Sequence, residues 1–416
     1  MKKVYLDYGA TSPIKSEVKK AIMPYLEDKF GNPSSIHEWG RVARQAVDEA
    51  RKEVADFLGS HENEIFFTSG GTESDNMAIR GIVVGHGARL GNNICPHIIT
   101  TEIEHHAVLR TCQHLEKNDL AKVTYLKPNR DGIISADQVK KAIGKDTLLV
   151  SVMYVNNEIG TVQPIREIGK MIEKENKKRA LRREGKIYFH TDAVQAAAYQ
   201  NMNVDFLHVD LLTISGHKIG APKGIGSLYI KKGTPISKMI FGGEQELNLR
   251  AGTENVIGIV GLGKAVELLR KAEGGKRIAD LQKYFIDKIL KEIPKVELNG
   301  SREFRSPYNV NFYFKAIEGE SILLNLDLVG IAASSGSACT SQSLEPSHVL
   351  VSVYGIPERA HGSIRFTMGE ATNKEEIDYT IENLKIIVKK LRAMSPLWEN
   401  PKSEARNPKR RKNVRD

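Results

Sequence analysis

Three cysteines, Cys95, Cys112 and Cys339, are few for a chain of 416 residues. So low a number excludes a disulfide framework and fits a reducing compartment. None belongs to a C-x-x-C pair, so no structural zinc site is expected. No apolar run approaches the roughly 18 residues of a membrane span. The N-terminal residues Met1-Lys2-Lys3-Val4-Tyr5-Leu6-Asp7 reach an acid before the apolar stretch of a secretory leader can form. These absences predict a soluble, cytoplasmic protein that does not engage a membrane.

What is present is a chain 40% hydrophobic and 27% charged, enough for two or three domains with a sizeable core. The net charge is +10, and half of it lies between Pro401 and Asp416, with seven Lys/Arg against two Asp/Glu. That tail lacks the interleaved aromatics that would stack on bases, so it reads as a solvated, disordered extension and nucleic-acid binding is not expected.

A short N-terminal strand, Tyr5 to Asp7, precedes apolar-periodic segments at 16–26 and 41–58, the second closed by Gly59. From Ile65 on, apolar runs alternate with helical patterns. The strands are expected at 65–68, 97–100, 123–126, 148–155, 187–192, 211–215 and 227–230. Such alternation marks an α/β domain whose mostly parallel sheet is covered on both faces. The basic run 170–184 reads as the exposed face of a crossover helix and its following turn. Past Gly261 the rhythm changes to two long amphipathic segments, further strands and a final helix at 374–394. The expected division is a strand and loop (1–15) packing with the second domain, a large domain (16–261), a smaller α+β domain (262–399) and the basic tail (400–416). The site should lie between the domains, at the carboxyl ends of the parallel strands.

Leu211-Leu-Thr-Ile-Ser-Gly-His-Lys218 is the stretch around which candidate functional residues gather. An apolar strand stops at small residues and delivers one lysine ahead of a turn rich in glycine and proline. A lysine beside an apolar wall loses solvation in its charged form, which frees the neutral amine to condense with a carbonyl. Thr68-Ser-Gly-Gly-Thr-Glu-Ser-Asp-Asn76 links a strand to a helix, where glycines and first-turn amides suit a phosphate or serve only as a tight turn. Asp192 ends another strand. It is either the cap of a short 193–198 helix or an acid facing a pyridine nitrogen, and its spacing to Lys218 favours the second.

His105 and His106 stand at the mouth of a third strand, one of them able to stack on a ring and move protons. Cys339 sits in a run of small residues, 332–343, expected to form a mobile loop (about 334–347), poorly placed as core and well placed as a travelling nucleophile. Arg365 is a charge inside an apolar strand, suited to a substrate carboxylate or to an inter-domain ion pair. Together these parts describe a pyridoxal phosphate site.

The motifs that carry a family resemblance run from Leu6-Asp-Tyr to Glu399. They include Phe30-Gly-Asn-Pro-Ser-Ser, Glu104-His-His-Ala-Val, Val155-Asn-Asn-Glu-Ile-Gly, His190-Thr-Asp-Ala-Val-Gln, Ser215-Gly-His-Lys, Arg250-Ala-Gly-Thr and Ser334-Ser-Gly-Ser-Ala-Cys-Thr-Ser. With these, the chain resembles the group I, NifS/IscS-like cysteine desulfurases, of the class V branch of fold type I pyridoxal phosphate enzymes. The resemblance implies a seven-stranded large domain and a homodimer. Lys218 would hold the cofactor, Asp192 would pair with its ring nitrogen and His105 would stack on it. Asn157 and Gln195 would bond its phenolic oxygen, while Gly71, Thr72, Ser215 and His217 would cradle the phosphate. Thr253 would reach the neighbouring subunit's phosphate. Arg365, with Asn157, would hold the carboxylate of L-cysteine.

Cys339 would then take the substrate's sulfur as a persulfide, release alanine and pass sulfur to an IscU-type iron–sulfur scaffold or a tRNA-thiolation carrier. No intrinsic metal is implied, although Cys339 could transiently ligate a [2Fe–2S] cluster shared with a scaffold. Gly9 and Gly71 stand where the family often has alanine, and Lys218-Ile-Gly-Ala-Pro replaces the more usual Lys-Ile-Tyr-Gly-Pro. The rival readings are a selenocysteine lyase or aminotransferase of the same fold and a non-catalytic scaffold. A transaminase needs no thiol at Cys339, and a decayed enzyme would not keep Lys218, Asp192, His105 and Cys339 together.

Overall fold

In the main sheet, successive residues of each strand serve opposite faces, and both faces are apolar. Ile65 and Phe67 enter one core and Phe66 the other; Ile99 and Ile98, Val150 and Leu149, and Leu212 and Leu211 divide the same way. A strand that must be apolar on both sides belongs in the middle layer of three. The computed structural model, which describes residues 2–90, 95–272, 275–335 and 346–398, has that architecture.

After β1 (Val4–Tyr5) the chain forms β2 (Ile65–Thr68), β3 (His97–Thr101), β4 (Lys122–Leu126), β5 (Thr147–Ser151), β6 (Tyr188–Asp192), β7 (Leu211–Ser215) and β8 (Gly226–Ile230). These last seven make one sheet in the order β2-β8-β7-β6-β5-β3-β4. β4, β3, β5, β6 and β7 run parallel, and β8 is antiparallel to both of its neighbours. The mostly parallel, seven-stranded α/β sheet read from the sequence is therefore present.

Two details differ from the sequence reading. The strand expected to reach Val155 stops at Ser151, because the chain then turns around Asn156. That side chain donates to Ile103 O and accepts from the amides of Glu158 and Ile159, which replaces ladder bonds by a closed loop. The segment 193–198 forms consecutive turns instead of a helix. Within the basic run, the helix Ile165–Leu181 carries a buried Arg179 whose guanidinium donates to the carbonyls of Gly144, Lys145, Thr147 and Gly185. One residue of that charged run is thus a structural pin.

A second sheet holds β9 (Val296–Leu298), β10 (Asn309–Phe314), β12 (Ser334–Ser335) and β13 (Ser363–Thr367), in the order β12-β13-β10-β9, all antiparallel. β11 (Ile331–Ala332) pairs in parallel with β1, so the first residues of the chain sit with this second unit. Its core is built on Phe285, Phe312 and Phe366, with Phe285 edge-on to the other two at ring distances of 5.8 and 5.4 Å. Each such ring contributes about 1.5–3 kcal/mol by burial. The helix Val256–Lys271 sends Ile259, Leu262, Ala265 and Val266 into the first core. The next helix, Lys276–Glu292, sends Ile278, Phe285, Ile286 and Ile289 into the second. The packing break therefore lies between these helices, and a boundary at 261–262 would cut through the first of them.

Candidate active site

Four elements of the main sheet end on one cleft. β6 ends in Asp192 and β7 in Ser215, after which a single tight turn, Gly216–Lys218, sets the lysine at the sheet's edge. β2 runs through Ser69 and Gly70 into the helix Gly71–Leu90, where the Glu73 carboxylate accepts from the Ser69 amide at 2.8 Å. β3 leads to His105, which caps the helix His106–Lys117 by accepting from the Ala107 amide on Nδ1. From the second unit, β13 brings Arg365, and the residues after β1 bring Asp7, Gly9 and Ala10.

Around these lies a cavity of about 410 Å³. Lys218, Asp192, His105, Gly71, Thr72, Asn157, Gln195, Ser215, His217 and Arg365 all line it. Thr253 does not. It lines a separate cleft with Ser69 and Arg250, on a loop tied to the first helix turn by Arg250 Nε donating to Glu73 at 2.9 Å. Just before it, Glu246, Leu247 and Asn248 adopt left-handed φ values of 48°, 53° and 65°. That costly turn is pinned by the buried Glu246 carboxylate, which accepts from Arg51 at 2.8 Å and from the Phe67 amide at 2.9 Å. Cys339 lies outside the described residues.

The Lys218 amine donates to Gly9 O at 2.5 Å and Ala10 O at 2.8 Å. The sequence suggested an apolar wall; backbone carbonyls meet the amine instead, and they aim it into the cleft. Arg365 is buried, with Nη1 donating to Asn157 O at 2.7 Å and Nη2 paired with Asp7 at 3.0 Å. The ion pair lies within the second unit and not between domains, and among the described residues the Arg365 Nε has no hydrogen-bond partner.

Burial, reinforced by Lys218 and the neighbouring histidines, pushes the His105 imidazole down to about 4. The ring stays neutral through ordinary pH, and because Nδ1 accepts, its proton sits on Nε2. Burial lowers His217 likewise to about 4. Asp192 is moved the other way: burial lifts it to about 6, opposed by the Val194 amide, which donates at 2.9 Å, and by Lys218.

Several residues of the site escaped the sequence reading: Asp75, Glu158 and His348 line the cavity, and Asp7 pairs with Arg365. The signal for Asp75 was its place in the first helix turn after the glycines. His348 is 243 positions beyond His105 in number, but its Nε2 donates to Glu104 O at 2.9 Å and its ring lies tilted against His106 at 4.7 Å; no local pattern announces it.

Two of the departures noted in the sequence have local causes. A Cβ on Gly71 would stand 2.9 Å from Val194 Cγ2, so this neighbour would have to move. Gly220 has φ +87°, and a Cβ there would meet Lys15 Cγ at 2.6 Å, so the position demands glycine.

Orphaned buried polar atoms ask for a ligand. Among the described residues, Asp75 Oδ1, Asn157 Oδ1 and Arg365 Nε are buried without a hydrogen-bond partner, and all three residues line the one cavity. The donor set fits a phosphorylated pyridine aldehyde. There are first-turn amides and hydroxyls at one end, a carboxylate at a strand end, a neutral imidazole and an amine within the same walls.

The sequence profile of the family "Aminotransferase class-V" matches residues 4–380. The cysteine desulfurase IscS of Dictyoglomus turgidum is 52% identical over 397 residues, covering 95% of this chain and 97% of that protein. Among solved structures, a NifS-like protein superposes with a TM-score of 0.84 at 32% identity, covering 94% of this chain and 100% of its own. SspA in complex with cysteine gives 0.76 at 36% identity, covering 88% and 99%. With fold and cleft of this kind, the chain belongs to the class V aminotransferase family. Within that family it belongs to the cysteine desulfurases.

Proposed function

We propose that this chain uses pyridoxal 5'-phosphate to remove sulfur from L-cysteine, giving L-alanine and a persulfide on Cys339. The observation that carries this reading is the convergence of Lys218, Asp192, His105 and Arg365 on one cavity with three orphaned polar atoms. When bound, the cofactor supplies an electron-withdrawing ring that stabilises negative charge at the substrate's α-carbon.

The chain's own residues do the rest. Lys218, aimed by Gly9 O and Ala10 O, takes the α-proton and returns it. Asp192 would keep a proton on the cofactor's ring nitrogen, and neutral His105, with its proton on Nε2, would stack on the ring. Gly71, Thr72, Ser215 and His217 would hold the phosphate, with Thr253 serving the neighbouring subunit of a homodimer. Gln195, which donates to Gly9 O, and Asn157 would bond the phenolic oxygen. Arg365 binds the substrate carboxylate. The Cys339 thiolate then forms a bond to the substrate's sulfur as the carbon–sulfur bond breaks, and the carbon takes a proton. Cysteine plus thiol thus becomes alanine plus persulfide, with no outside oxidant. The sulfur would pass to an IscU-type scaffold or a tRNA-thiolation carrier in the cytoplasm. Among the described residues no helix is long and apolar enough to cross a membrane.

The test is product analysis with L-cysteine in the absence of added reductant. Alanine and protein-bound sulfur should form in equal amounts, and sulfide should appear only when reductant is added. A keto acid in place of alanine would mean transamination and would overturn this reading.

Arg365→Lys gives a second check. Lysine keeps the charge but loses the fork, a charge-assisted interaction of about 1.5–3 kcal/mol. KM for L-cysteine should rise about 10–100-fold, with kcat changed less and the visible spectrum of the bound cofactor intact. An unchanged KM would remove Arg365 from carboxylate binding.

A further inference from the structure

Beside Asp192 lie two buried acids, Asp75 and Glu104, that the proposed chemistry does not use. Asp75, His105 and Asp192 each place a ligand atom within 4.8 Å of the other two. Glu104 lies within electrostatic reach of both aspartates. Asp75, Glu104 and Asp192 are 1%, 0% and 6% exposed, so water does not screen them from one another.

The cations available are few. From the turn after β7, Lys218 is the positive charge that opposes Asp192. From β6, His190 is fully buried and held neutral, with Nδ1 at 2.9 Å from Ser151 Oγ and Nε2 at 3.1 Å from Thr213 Oγ1; its distance to Asp75 Oδ1 is 3.6 Å. His105, from the loop after β3, is neutral as well. Three carboxylates in so dry a place cannot all be ionised beside one ammonium group.

Hydrogen bonding decides which acid keeps a proton. Glu104 Oε1 accepts from the Met153 amide at 2.9 Å and from Thr101 Oγ1 at 2.8 Å. Asp192 Oδ1 accepts from the Val194 amide. Among the described residues Asp75 Oδ1 and Glu104 Oε2 both lack a partner, but Glu104 has two donors on its other oxygen, whereas the Thr213 hydroxyl is the one group that favours charged Asp75. Asp75 is the poorest anion of the three.

We propose that Asp75 is a positioning residue that stays protonated at its carboxyl, leaving Asp192 as the one negative charge of the pair. A neutral Asp75 matches the wall to a ring nitrogen carrying a single positive charge, which a doubly ionised pair would not. Cofactor binding then leaves the Asp75 proton where it is. The idea rests on the proposed cofactor reading only for that last consequence; the proton itself belongs to the free protein.

Two measurements test it, both at mildly alkaline pH, above the value of about 6 for Asp192. In the first, infrared difference spectra are taken of cofactor-free protein carrying isotopically labelled aspartate. A protonated-carboxyl band shifted by the label is expected in the parent protein, and its loss is expected in Asp75→Asn. Absence of that band in the parent overturns the proposal whether or not the variant folds. In the second, pyridoxal 5'-phosphate is titrated calorimetrically into both proteins in buffers of different ionisation enthalpy. Asparagine imitates a neutral acid, so the proton counts should agree. A difference of about one proton would show that Asp75 is charged in one of the two states. Failure of the parent protein to take up the cofactor would sink the functional reading and leave the infrared result standing.

Discussion

Replacing Lys218 by alanine should lower sulfide production from L-cysteine by about 10³-fold or more, the range spanned by removal of a positioned base. The expectation follows from two roles resting on one amine. It is the group that would tether the cofactor, and it would be the base that takes the substrate's α-proton. Its direction is set by Gly9 O and Ala10 O, so no neighbouring lysine can take its place without both carbonyls. Borohydride treatment should fix the cofactor to the parent protein and not to the variant, which separates loss of the tether from loss of fold. Removing the amine also leaves two carbonyls short of a donor, and an accompanying loss of about 1–3 kcal/mol in stability is expected. Thermal unfolding would register it. A variant retaining a tenth of the parent's activity would show that the base is another residue.

Cys339→Ala should have an effect of similar size on sulfur transfer and almost none on cofactor binding. Reductant-released sulfide should fall by at least about 10²-fold, since a methyl group cannot act as nucleophile. The visible band should persist, and L-cysteine should still perturb it, because the cavity residues are untouched. Radiolabelled cysteine would leave label on the parent protein and none on the variant. If the variant matched the parent in sulfide output, sulfur would be leaving by a route that needs no protein thiol, and the persulfide would have to be abandoned. Cys112 offers no ready substitute: it is buried, and burial pushes its thiol far above the usual range.

Much of this site was legible in the sequence because its residues stand where a strand pattern ends or is broken. Asp192 and Lys218 each follow an apolar run at the point where small or polar residues stop it, and Arg365 interrupts an apolar run with a charge. Such signals are local. The residues that escaped notice depend on strand order. Asp75 meets Asp192 only because β2 and β6 are placed in one sheet, and Glu104 becomes a buried acid through bonds to Thr101 and Met153. The environment of Lys218 was misread for the same reason, its partners being 209 and 208 residues away. The amphipathic segment 262–270 was placed in the second domain on rhythm alone; its helix, Val256–Lys271, packs against the helices Ser16–Leu26 and Glu38–Leu58 and into the first core.

The pairing of β1 with β11 has a consequence for the birth of the molecule. Val4 and Leu6 are made more than 300 residues before the backbone that receives them, around Ile331 and Thr367. At about 5–20 residues per second, the opening segment must wait roughly 20–70 seconds for its berth. Through that interval Gly9 and Ala10 have only their bonds from Lys218 and Gln195 of the large domain, and the cleft still lacks the strand that brings Arg365. Nascent chains arrested short of position 331 would have a finished main sheet and a cleft without its arginine.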